Sequence, residues 1–166
     1  MYELPEGKRA TRGKSIMNFI ALQAEEKVTS ILAMPKSTKG SAHSLIMVTA
    51  QGTTKKVSAK SFTDVRASGI IAIKLAPGDR LIAVECVEKG DDVAVVTKEG
   101  QSIRFKESDI REMGRAAGGV RGIKLDKTDL VVGAHTIKKD WKSAHLLVIS
   151  SNGYGKRTKL SEYKVQ

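Results

Sequence analysis

Apolar and polar residues alternate in short bursts along this chain, and the bursts return in the same order. Residues 28–34 (VTSILAM), 45–49 (LIMVT) and 54–58 (TKKVS) predict three strands, the last two joined by a tight turn at 50–53 that contains Gly52. Residues 80–87 (RLIAVECV), 93–97 (VAVVT) and 102–105 (SIRF) repeat the pattern around Gly100. Residues 130–137, 146–149 and 154–158 repeat it again around Gly153. The connectors at 59–64, 106–110 and 160–163 each follow the last strand of a set, and polar loops at 36–44, 88–92 and 138–144 separate the first strand from the second. Residues 1–13 read as an irregular entry, and 15–22 as a strand or a short helix, the strand being favoured. No stretch carries strong helical periodicity.

Between the strand sets lies a stretch of another kind, REMGRAAGGVRGIKL at 111–125, with four glycines among four cations and an acidic turn at 126–129 behind it. Adjacent glycines disfavour a helix and allow positive φ or close backbone approach, so the stretch predicts a loop feeding a short strand. VRASGIIAIKLAPGD at 65–79 is an imperfect copy, and KRATRGKSIMNFIALQAEE at 8–26 a weaker one. The turn glycines and Leu22, Leu75 and Leu125 thus recur at about fifty residues, within the range of propellers and related arrays. Each unit offers about four short strands, the content of one propeller blade. The expected organisation is one all-β repeat domain: an entry loop and strand at 1–26, repeat 1 at 27–78, repeat 2 at 79–128, and an incomplete repeat 3 at 129–166.

Charge adds a partner class to this picture. Lys and Arg number 29 against 18 Asp and Glu, a formal charge of +11 that is spread along the chain. Polyanions are the first candidates for such a surface. One Trp, three Tyr and three Phe are too few for single-strand binding on stacked bases, and fit backbone-directed binding better. The single cysteine, Cys86, excludes a disulfide framework and reads as a small buried hydrophobe in its strand. No apolar run is long enough to span a membrane and no secretory signal is visible, so a cytoplasmic, nucleoid-associated protein is expected.

Catalytic patterns are missing from the sequence. His43, His135 and His145 stand singly, and no strand-to-helix phosphate loop or nucleophile elbow occurs, so neither an enzyme nor a cofactor is expected. Cations are better placed. The strand after each turn carries Lys55 and Lys56, Arg104 and Lys106, or Lys156, Arg157 and Lys159, and the glycine-bearing stretches add Arg12, Lys14, Arg66, Arg111, Arg115 and Arg121. With Val57, Ile103 or Phe105 pointing inward, strand alternation would turn some of these cations to the outer face. Their recurrence predicts a track for a phosphate backbone, with little base preference and steep salt dependence. The competing reading is a propeller-type platform that binds acidic proteins.

The stretches YELPEGKRATRGKSI, QGTTKKVSAKSF, RASGIIAIKL, RFKESDIREMGRAAGGVRGIKL and SNGYGKRTKLSEY, in this order, resemble the C-terminal domain of bacterial DNA gyrase A and of its counterpart in topoisomerase IV. The resemblance implies a β-pinwheel, a propeller-like ring of four-stranded blades that wraps duplex DNA on a basic rim and supports ATP-driven supercoiling. It implies about three blades of a normally larger ring, with the remainder of gyrase A and the gyrase B protein as partners and no membrane. The catalytic tyrosine of such enzymes belongs to another domain, so Tyr2, Tyr154 and Tyr163 are not assigned that role. An open arc of blades would also expose strand edges that invite self-association.

Overall fold

The computed structural model describes residues 8–10, 12–24, 26–33, 43–63, 65, 68–141 and 143–166. Strand β1 (Ser44–Thr49) turns at Gly52 into β2 (Thr53–Ser58); β4 (Asp92–Thr97) turns at Gly100 into β5 (Ser102–Lys106); β8 (His145–Ile149) turns at Gly153 into β9 (Gly155–Lys159). Before the second and third hairpins come β3 (Leu81–Val87) and β7 (Val131–Ile137), and the glycine-rich stretch contributes the two-residue β6 (Val120–Arg121). The three turn glycines hold φ values of 83°, 85° and 83°, a backbone region that side chains other than glycine rarely enter. Each hairpin runs into one 3-10 turn, at Ala59–Phe62, Glu107–Asp109 and Leu160–Glu162. Among the described residues the chain is all-β apart from such turns.

The sheets do not follow the sequence repeats one for one. The first has the order β3-β1-β2-β6, the second β5-β4-β7, and the third β8-β9. A blade is therefore a hairpin from one repeat completed by strands of the next. Each repeat in sequence does not make its own blade, as the strand count alone had suggested. Residues 15–22 hold a short 3-10 helix, Ile16–Asn18, and not the strand that was favoured over a short helix. Residues 28–33 are not in a strand either, although their apolar pattern matches β3 and β7. They pair with no strand among the described residues, and β structure needs a neighbour to satisfy its backbone groups.

The core sits where consecutive blades meet. Ile46 and Val48 of β1, Val87 of β3, Val93 and Val95 of β4, Phe105, Ile110, Ile123 and Val131 form one buried cluster that spans the first two hairpins. Each such side chain contributes about 1.5–3 kcal/mol on removal from water. Leu45, Met47 and Val57 make a second cluster on the other face of the first sheet, joined by Cys86, which is half-buried and not fully enclosed. Packing thins toward the third hairpin, where only Ala94, Ile137 and Leu160 form a cluster and β8 and β9 lie largely open.

Candidate nucleic-acid interface

Strand pairing fixes which cations are equivalent. Lys56 faces Ile46, Arg104 faces Ala94 and Arg157 faces Leu147, each at the same place in its hairpin. Lys55, Ile103 and Lys156 occupy the neighbouring place, and Ser58, Lys106 and Lys159 end the three strands. Cations expected together on one outward track thus divide into two groups.

The first group is internal, which corrects the outward placement expected for Lys55, Lys56 and Arg104. Lys55 is fully buried, and its Nζ donates to the carbonyls of Ala72 (2.8 Å), Ala117 (2.8 Å) and Arg115. Burial pushes its pKa below the usual lysine value. Lys56 Nζ donates to the Glu107 carboxylate at 2.6 Å and to the Glu107 carbonyl at 2.9 Å, both side chains being buried. Arg104 repeats the scheme one blade further on. Its Nε and Nη2 hold the Asp92 carboxylate at 2.9 and 2.7 Å, and its Nη1 donates to the carbonyls of Leu160 (2.7 Å) and Tyr163 (3.2 Å). Glu107 and Leu160 are equivalent residues, each opening the 3-10 turn of the next unit. The backbones interlock beside them: Met113 N–H donates to the Lys56 carbonyl at 2.8 Å, and Gln166 N–H to the Arg104 carbonyl at 2.9 Å. These cations clasp one blade to the next. Strand alternation failed here because blades cover both faces of β2, leaving four consecutive buried residues, Thr54 to Val57.

The second group is exposed: Arg12, Lys14, Lys106, Arg111, Arg115, Arg121, Lys156, Arg157 and Lys159. None of these nine side chains forms an ion pair among the described residues. Arg66 lies outside the described residues. Register adds Lys164, which the sequence pattern had not singled out. It follows the third 3-10 turn as Arg111 follows the second, and both are exposed. Lys106 and Lys159 are the other exposed equivalent pair. By register these four side chains form two corresponding pairs in successive hairpins.

Glycines set the course of the loop that carries Arg115 and Arg121. At Gly119, φ is +96° and an added Cβ would come within 2.8 Å of the Thr54 carbonyl; at Gly122 it would meet Thr54 Oγ1 at 2.0 Å. Only this bare backbone lets β6 lie against β2, with Arg121 opposite Thr53, while Ile123 plugs the core. Arg115 shows both uses of the loop: its carbonyl binds Lys55 while its side chain stays exposed. The acidic turns are structural. Asp79 accepts from the Gln51 and Arg80 N–H groups at 2.9 and 2.8 Å, and Asp129 from those of Glu99 and Leu130 at 3.0 and 2.8 Å.

Hairpin blades clasped in series, with unpaired cations at corresponding exposed positions, define a propeller-class repeat domain. The chain belongs to the family described as the DNA gyrase C-terminal domain, a beta-propeller, whose model matches residues 1–33, 43–88, 91–138 and 144–166. It is similar to the DNA gyrase A protein of Salmonella typhimurium, 41% identical over 163 residues, and to that of Escherichia coli K12, 40% identical over the same length. Each alignment covers 98% of this chain and 18% of the relative. A crystal structure of the C-terminal domain of DNA topoisomerase IV superposes with a TM-score of 0.82 at 26% identity, covering 93% of this chain and 47% of that one. The structure of a DNA gyrase A C-terminal domain superposes with a TM-score of 0.80 at 29% identity, covering 94% and 50%. The chain thus spans under a fifth of the gyrase A proteins it matches and about half of the solved domains.

Proposed function

We propose that this chain is a non-catalytic module of a type II DNA topoisomerase that binds duplex DNA by its phosphate backbone and wraps it along an exposed basic edge. The observation that carries the proposal is the recurrence of unpaired, exposed cations at equivalent places in successive blades, Lys106 with Lys159 and Arg111 with Lys164. Arg115 and Arg121 add charge on the glycine loop between them. Cations without intramolecular partners lose little when a phosphate replaces water, and each displaces condensed counterions from the duplex. Few aromatic residues and no base-reading helix among the described elements fit binding that follows the backbone with little sequence preference. Strand passage and ATP hydrolysis would belong to the rest of gyrase A and to the gyrase B protein, and the module would sit with the nucleoid in the cytoplasm.

Binding to two duplexes of unrelated sequence, measured by gel shift between about 50 and 200 mM salt, tests this reading. The expected result is similar affinity for both and a log–log slope of several units, about 0.9 for each phosphate neutralised. Affinity that is independent of salt, or tighter for an acidic polypeptide than for DNA, contradicts it.

A further inference from the structure

We infer, building on the duplex-binding reading above, that buried Lys55 is a positioning residue for DNA: its ammonium ties two successive glycine loops together and thereby sets where Arg115 and Arg121 are displayed. Three carbonyls converge on Lys55 Nζ, those of Ala72, Arg115 and Ala117. Ala72 belongs to the stretch at 65–79, and Arg115 and Ala117 to the one at 111–125. An ammonium has three N–H donors and no acceptor, so this trio takes its whole donor capacity. Lys55 is fully buried, and water does not compete for those donors.

The second loop depends on this anchor along its middle. Backbone bonds tie its two ends: Met113 N–H donates to the Lys56 carbonyl and Gly122 N–H to the Gly52 carbonyl, each at 2.8 Å. Between them Ala117 N–H closes a turn onto the Gly114 carbonyl at 3.1 Å. Among the described residues Lys55 is the one side chain that hydrogen-bonds to residues 114–119. The Ala117 carbonyl also accepts from Lys74 N–H at 3.4 Å, so one oxygen is shared by Lys55 and the neighbouring loop. The backbone then passes close over both. A Cβ added at Gly118 would stand 3.5 Å from the Lys74 carbonyl, and one added at Gly119 3.2 Å from Lys55 Cβ.

Arg115 is thus held by its own carbonyl while its side chain stays exposed. Arg121 follows Gly119 by two residues, in β6, opposite Thr53 and close to Lys55 along β2. Carbonyls that lose a buried donor must find another or reach water. Most of residues 114–119 are exposed, so this span can swing outward and take the Arg115 side chain with it. A guanidinium on a loose loop must then be ordered again on meeting a phosphate, and affinity falls by that entropy.

Lys55→Met keeps an unbranched apolar stem and removes every donor. Lower stability alone would fit a residue that only holds the fold. The deciding readout is binding by the folded variant to a duplex, well below its unfolding midpoint. Affinity is expected to fall about fivefold to tenfold at about 0.1 M salt, with a log–log slope smaller by about 0.9–1.8 units, one or two phosphate contacts. In a chain already carrying Arg115→Ala and Arg121→Ala, Lys55→Met should change affinity less than about twofold, because it acts through those side chains. Lys55→Gln, which keeps two N–H donors, should fall between wild type and Lys55→Met, and is measured in its place if the Met variant does not fold. A folded Lys55 variant with wild-type affinity and slope overturns the inference and leaves duplex binding standing. So does a loss that is equally large with and without the two arginines. A wild type whose binding is indifferent to salt overturns the duplex reading itself, and the role of Lys55 with it.

Discussion

Lys55, Lys56 and Arg104 show how the same residue type can hold the fold in one setting and meet a ligand in another. Removing Lys56 leaves Glu107 charged and buried, so Lys56→Ala should cost about 3–5 kcal/mol in denaturant unfolding, whereas replacing both partners with apolar residues should cost far less. Lys55→Met should lower stability by about 1–3 kcal/mol, because carbonyls of Ala72, Arg115 and Ala117 lose their donor. Asp91 gives the pH response. Burial alone would raise its pKa, but Lys138 Nζ at 2.8 Å and the N–H groups of Glu88 and Lys139 outweigh that and hold it below the ordinary carboxylate range. Its contribution is present above the unfolded value, near 3.9, and is lost as pH falls through the depressed one. Lys138, raised by the same bond although burial works against it, contributes below the ordinary lysine value and loses that as pH rises through the raised one. Thermal midpoints should therefore be flat near neutrality and fall in acid. Asp91→Asn should start lower and fall less.

Among the elements, the glycine loop is the most constrained. Gly122→Ala would drive a methyl into Thr54, so it should separate β6 from β2, cost about 1–3 kcal/mol and speed hydrogen exchange at Thr53 and Thr54. Hairpins were legible in the sequence because a glycine turn between β-branched runs is a local signal, and all three hairpins form within a residue or two of the expected bounds. The short strand closing the glycine stretch was legible for the same reason. Residues 28–33 were misread because an apolar pattern reports what a segment could pair with, and among the described residues no strand pairs with them. Lys55 and Lys56 were misread because alternation assumes one wet face, and β2 has none. The clasp left a trace that could have been found: a basic residue in the middle of each hairpin's second strand, with Glu107 or Asp92 available to pair with it.

At the scale of the molecule, the first two hairpins are each completed by the next unit, so stability and charge display are coupled along the array. Clasping removes some cations from the surface, and the glycine loops and the ends of β5 and β9 present others. Such an array has mainly nearest-neighbour contacts, so weakening one clasp should loosen adjacent blades before distant ones. The account rests on this division between clasping and displayed cations. The most direct measurement compares duplex-DNA affinity and its salt slope for wild type and for the variant Arg111→Ala, Arg115→Ala, Arg121→Ala. The variant should fold with an unchanged unfolding midpoint, bind more weakly to every duplex, and lose up to about 2.7 units of log–log slope at about 0.9 per phosphate contact. A folded variant with wild-type affinity and slope would contradict the account.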